Sequence, residues 1–148
     1  MNGTGKDPLD TDKRCPVDEY LNLVETRVLR ALSSESVQKS CSTTLLLVFA
    51  TFDALGKLTH PDACAGPSRR FRHFLSFVGT KYEARSKELW KLRNALVHNV
   101  INVESYLSST ELEGWAHLQM IGGTGLIYVN SRQASQDLAD AFSRVKTL

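Results

Sequence analysis

Along much of the chain, apolar residues recur every three or four positions, and these stretches are separated by clusters of Gly, Pro, Ser and Asn, the pattern of a helical protein. From Pro16 to Ser33, Val17, Tyr20, Leu21, Val24, Val28 and Leu32 follow helical spacing, with proline in the first turn and Asp18 and Glu19 near the positive end of the helix dipole. An amphipathic helix is predicted there. After the Ser-rich break SSES, a second helix is predicted from about Val37 to Leu58. Its LLLVFATFDAL stretch is apolar almost all the way round, so other elements must cover most of it. HPDACAGPS reads as a loop. A third helix, Ser68 to Val78, sets Phe71, Phe74, Leu75 and Val78 on one side and Arg69, Arg70, Arg72 and His73 largely on the other.

Gly79 marks a break, and a fourth helix is predicted from Lys81 to His98, with Asn99 as a left-handed terminator. Residues Val100 to Gly114 are mixed in character. WAHLQMI and LIYVN then read as two strands joined by the glycine-rich turn GGTG, a hairpin over about residues 115–130. Its Trp115, Ile121, Leu126 and Ile127 are available to dock on the bundle or on a second copy. A last helix, Ser131 to Leu148, has Asn130 or Ser131 as its cap. The expected fold is therefore mainly α, an up-and-down helical bundle of four to five helices with a small C-terminal β-hairpin. Residues 1–15 read as a polar tail and 16–148 as a single domain.

Composition narrows the class. With 148 residues, 42% hydrophobic and 23% charged, the chain has the make-up of a soluble globular domain and excludes gross disorder, collagen-like repeats and a disulfide scaffold. The longest apolar run, Leu45 to Ala50, falls short of the ~20 residues a bilayer crossing needs, so no membrane partner is expected. The first sixteen residues lack the apolar core of a secretion signal. Cys15, Cys41 and Cys64 form no C-x-x-C and leave an odd thiol under any pairing, which suits a reducing cytoplasm with Cys41 and Cys64 in or near the core. The net charge of +2 conceals an uneven distribution: residues 69–99 carry 8 basic and 2 acidic side chains. Such clustering creates a potential that an anionic partner feels, although it also describes a merely solvated basic face.

Most chemical motifs are missing. GGTG lacks the Lys-Ser/Thr ending and the strand-turn-helix context of a phosphate loop, and there is no H-E-x-x-H, no zinc-spaced Cys/His set and no G-x-S-x-G. Neither a metal nor a cofactor is expected. His60 and His117 stand alone in the sequence and read as loop or surface residues.

Leu89-Trp90-Lys91-Leu92-Arg93-Asn94-Ala95-Leu96-Val97-His98 carries more information. At about 100° per residue, Arg93 falls inside the arc spanned by Leu89, Leu92, Leu96, Val97 and Trp90. An arginine is costly to bury unless paired, so it demands an anionic partner or a water-filled cleft. Asp53 lies beside Leu46 and Phe49 on the second helix, again among apolar residues. An Asp53–Arg93 ion pair is predicted. Asn94 and His98, four residues apart, share a neighbouring stripe, so Arg93, Asn94 and His98 could line one cleft. An imidazole that moves protons near neutral pH, beside a guanidinium that grips phosphoryl oxygens, suits metal-free phosphodiester chemistry.

Arg93-Asn94-x-x-x-His98, near the end of a long helix in a small helical chain, resembles the signature of the HEPN superfamily. In a shuffled chain of this composition the pattern would occur about 0.01 times. The resemblance implies a bundle of four or five helices, a homodimer with a cleft across its interface, and RNA cleavage without metal. It assigns Arg93 to the phosphate, His98 to acid or base chemistry at the ribose 2′-hydroxyl or the leaving oxygen, and Asn94 to orientation. RNA contacts are expected from Arg69, Arg70, Arg72, Lys87 and Lys91. The function expected is a metal-independent endoribonuclease, a toxin or antiphage effector with an antitoxin or other protein partner. The alternative is a catalytically inactive dimeric adaptor that recognises a nucleotide or a protein. The predicted hairpin lies outside a plain bundle of this kind.

Overall fold

The computed structural model describes residues 16–99 and 105–148; the tail with Cys15, and residues 100–104, lie outside the described part. It is mainly helical with a small three-stranded sheet. The first helix, α1, covers residues 16–32 but is not uniform: Pro16–Leu23 is α-helical, Val24–Leu29 forms a π-helical stretch, and Arg30–Leu32 is α-helical again. A short α2, Glu35–Gln38, precedes the central helix α3, Cys41–Thr59.

The predicted start of the central helix at Val37 is thus four residues early. Ser40 is the reason, because its side chain accepts a hydrogen bond from the Thr43 amide and caps α3 at 3.2 Å. Helix α3 is buried along Leu45, Val48, Phe49, Phe52 and Leu55, and packs against α4 (Pro67–Val78), α6 (Ser86–Asn99) and α7 (Ser131–Val145). By length and hydropathy alone it is also the one helix among the described residues that could cross a membrane, but here it is the core helix of the bundle. Gly56 permits its closest approach to α4, since a Cβ there would collide with the backbone carbonyl of Arg70.

The fourth predicted helix is in fact two. Helix α5, Thr80–Ala84, ends at Arg85, whose φ of −109° and ψ of 18° leave the helical region, and α6 then runs to Asn99. Whether Asn99 acts as a left-handed terminator lies at the edge of the described residues. The hairpin is shorter than predicted: β2 (Met120–Ile121) pairs antiparallel with β3 (Leu126–Asn130), while Trp115 to Gln119 is a turn and not a strand. Leu118, at φ 69°, bends the chain there. β1 (Tyr106–Ser108), inside the stretch read as mixed, pairs parallel with β3, giving the order β1-β3-β2. Buried Leu118 and Ile127 join the helical core, docking the hairpin on the bundle; Trp115 stays 38% exposed. Asn130 caps α7 by accepting from the Gln133 amide. Cys64 is exposed in the α3–α4 loop, correcting its expected place near the core, and Cys41 is half-buried.

Candidate functional site

Helix α6 is fixed by Leu89, Leu92 and Leu96, all buried against the bundle. Arg93 is held from three sides at the border of this face. Its Nε donates to Asp53 Oδ2 at 2.8 Å, its Nη2 lies 2.7 Å from the same oxygen, and its Nη1 donates to Asn94 Oδ1 at 3.0 Å. The Trp90 ring lies 5.0 Å from the guanidinium carbon, a cation–π contact. The predicted ion pair is therefore present, in side chains that remain 22% and 23% exposed. Burial raises the Asp53 carboxyl above its usual range; the Arg93 hydrogen bond and charge, and then the charge of Arg70, pull it back without cancelling that effect. Three of the five guanidinium N–H groups are spent on Asp53 and Asn94, and the other two have no partner among the described residues.

His98 is exposed near the end of α6. Residues five apart on a helix are turned by about 140° from one another. Of the three residues expected to line one cleft, Asn94 bonds Arg93. Val97, expected in the apolar arc, is 46% exposed because the core contacts of α6 end with Leu96.

The basic residues of α4 diverge. Arg69 forms an exposed ion pair with Asp62 at 3.5 Å, Arg70 contributes its charge at Asp53, and Arg72 Nε donates to Ser86 Oγ at 3.3 Å. Lys87 and Lys91 line a second feature, a groove of about 450 Å³ between α6 and the hairpin. Phe71 and Phe74 are core residues; Phe77 stacks on Phe74 at 5.7 Å.

The larger groove, about 910 Å³, lies where the α4–α5 junction, the Trp115–His117 turn and the start of α7 meet. Its floor holds a polar network built on His117, read from the sequence as a loop or surface residue; it lies in a turn, with its side chain only 12% exposed. The Asn130 amide donates to His117 Nδ1 at 3.0 Å, so the neutral ring carries its hydrogen on Nε2. Nε2 lies 2.9 Å from the Tyr82 hydroxyl, which donates to Asp137 Oδ2 at 2.5 Å; Gln133 supplies a further N–H to Asp137 Oδ1 at 2.9 Å. Burial lowers the His117 pKa to about 4, with Asp137 partly opposing this and Lys81 adding to it. Burial, then Asp137, pushes the Tyr82 hydroxyl far above its ordinary range. No spacing signal could reveal this cluster, because Tyr82, His117 and Asp137 come from α5, a turn and α7.

Among the described residues, no group of three or more His, Cys, Asp or Glu side chains is arranged to hold a metal ion. Comparisons with protein-family models, curated proteins and solved structures return no match.

Proposed function

We propose that the chain is a HEPN-like, metal-independent endoribonuclease that acts in the cytoplasm as a homodimer, in a toxin or defence role held in check by a protein partner. The observation that carries this reading is Arg93: a guanidinium oriented by Asp53 and Asn94, with two N–H groups unpartnered among the described residues and a fifth of its surface open. A scaffold arginine needs no open edge, whereas a phosphate-gripping one does.

Because positions five apart on a helix are turned by about 140° from one another, the reactive pair in this reading is formed between copies, with the ends of two α6 helices side by side. His98 takes the proton of the ribose 2′-hydroxyl as that oxygen bonds to phosphorus. The bond from phosphorus to the 5′-oxygen breaks, and a proton from the second copy's imidazole or from water completes the leaving hydroxyl. Arg93 neutralises charge on the non-bridging oxygens during the exchange.

The test is incubation of the purified protein with structured and single-stranded RNAs, with and without EDTA, beside folded Arg93→Ala and His98→Ala variants. Cleavage that persists in EDTA and vanishes in both variants is expected. Absence of cleavage above the His98→Ala background on every RNA tried overturns the enzyme. A strict monomer in solution removes the composite site.

One observation favours the other reading, a catalytically silent HEPN-like adaptor. The 910 Å³ groove over His117 has the size of a small-molecule site, and Lys81 and Arg132 on its wall have no ion-pair partner among the described residues. A nucleotide bound there without RNA turnover would establish the adaptor.

A further inference from the structure

Helix α6 presents two chemically distinct faces, and His98 belongs to the one that does not carry Arg93. With Lys87 set at zero and about 100° per residue, His98 falls near 20°, Lys91 near 40° and Asn94 near 340°, whereas Arg93 falls near 240°. The first four form a polar ribbon about 60° wide and about 16 Å long, running from the helix start to His98. Lys87 and Lys91 are exposed and make no ion pair among the described residues.

The hairpin closes one side of this ribbon. The 450 Å³ groove is walled by Lys87, Glu88 and Lys91 on one side and by Thr124, Gly125 and Leu126 of the turn and β3 on the other. Gly123 and Gly125 adopt φ values of 65° and 71°, which only glycine takes without strain, and a Cβ at either would meet nothing within 4 Å. The turn therefore offers bare backbone to whatever lies in the groove.

We propose that this groove is the entry track for the sugar–phosphate backbone of single-stranded RNA, with Lys87 and Lys91 contacting successive phosphates and leading the strand along α6 to His98. The inference rests on the nuclease reading for its direction, and gives the hairpin a role, as the wall that confines the strand to the ribbon. Glu88 is the acidic side chain in the groove and sets a limit on how tightly it holds a polyanion.

Binding can be tested apart from cleavage with a 2′-O-methyl oligouridylate, which lacks the hydroxyl that metal-free cleavage uses. Affinity is measured by fluorescence anisotropy for the wild type, the Lys87→Gln/Lys91→Gln double variant and Glu88→Gln, each checked for a wild-type melting curve. Each phosphate contact on a single strand contributes about 0.7 to the slope of log affinity against log salt. The double variant is expected to lose about 1.4 from that slope, so that between about 50 and 200 mM salt its affinity falls about sevenfold less than that of the wild type. Glu88→Gln should bind more tightly than wild type. An unchanged slope in the double variant overturns the track, even if RNA is cut in an Arg93- and His98-dependent way. A lowered slope with no cleavage of any RNA keeps the track and overturns the nuclease.

Discussion

The His117 network makes the fold sensitive to mild acid in a direction and amount that can be worked out. In the folded chain His117 accepts a proton only near pH 4, because its ring is buried, with Asp137 partly opposing that effect and Lys81 adding to it. In the unfolded chain the same imidazole titrates near 6.5. Between those values the unfolded state binds more protons, so stability rises with pH. The contribution is complete above about pH 6.5 and is lost as pH falls towards 4. The interval corresponds to about 3 kcal/mol at about 1.4 kcal/mol per pH unit, and the small exposure of the side chain leaves little screening to reduce it. The perturbation is His117→Gln, which keeps a hydrogen-bonding side chain and removes the titration. Urea unfolding of both proteins at pH values from 7.5 down to 4 gives the difference curve, in which carboxylate titrations common to both largely cancel. The wild type should lose about 3 kcal/mol relative to the variant over that range, with the loss concentrated below pH 6.5. Parallel curves for the two proteins would refute the reasoning, as would an NMR titration placing the His117 ring near 6.5.

Three further outcomes follow from the packing. Asp53→Ala leaves Arg93 half-buried without its carboxylate and should destabilise by about 2 kcal/mol, less than for a fully buried pair because both side chains keep some water contact. A double-mutant cycle with Arg93→Ala, read by chemical denaturation, should then give a coupling near 1 kcal/mol, and additivity would show the contact to be inert. Gly56→Ala should cost about 2 kcal/mol despite the better helix propensity of alanine, because the new methyl meets the Arg70 carbonyl; a raised melting temperature would contradict the close approach of α3 and α4. Tyr82→Phe removes the hydroxyl that links His117 to Asp137 and should cost about 2 kcal/mol in urea unfolding, whereas a loss too small to measure would mean that water replaces it.

What could be read from the chain was what depends on neighbours in sequence. The periodicity of Leu45 to Leu55 and of Leu89 to Leu96 placed α3 and α6, and a charge standing among apolar residues on each was enough to pair Asp53 with Arg93 across 40 positions. Residue type alone named Asn130 or Ser131 as the cap of α7, and Asn130 is the one that accepts the Gln133 amide. The break at Arg85 was not legible, because KYEARSKEL contains no helix breaker; Arg85, where the helix is interrupted, sends its Nε to the Leu118 carbonyl on another segment. β1 is three residues long, too short for an alternation to show. The burial of His117 was not legible for a related reason. Its burial depends on partners 35 and 20 residues away, and a lone histidine in a glycine- and tryptophan-containing stretch carries no mark of them.

Arg85 also explains how one helical region serves two surfaces. Were Lys81 to Asn99 a single helix, Tyr82 and Lys87 would be turned by about 140° from each other in a fixed relation. The break at Arg85 lets the two halves take separate bearings, and there its Nε donates at 3.1 Å to the carbonyl of Leu118, the residue with φ of 69° that follows His117. Tyr82 then reaches His117 and Asp137 beneath the larger groove, while Lys87 and Lys91 lie along the smaller one. A left-handed backbone at a leucine costs on the order of 1 kcal/mol, and the buried Leu118 side chain, its amide bond to the Tyr128 carbonyl at 2.8 Å and the arginine bond hold it in place. The segment from Trp115 to Met120 thus supplies Trp115, Ala116 and His117 to the larger groove and Met120 to the smaller one, so one short stretch borders both.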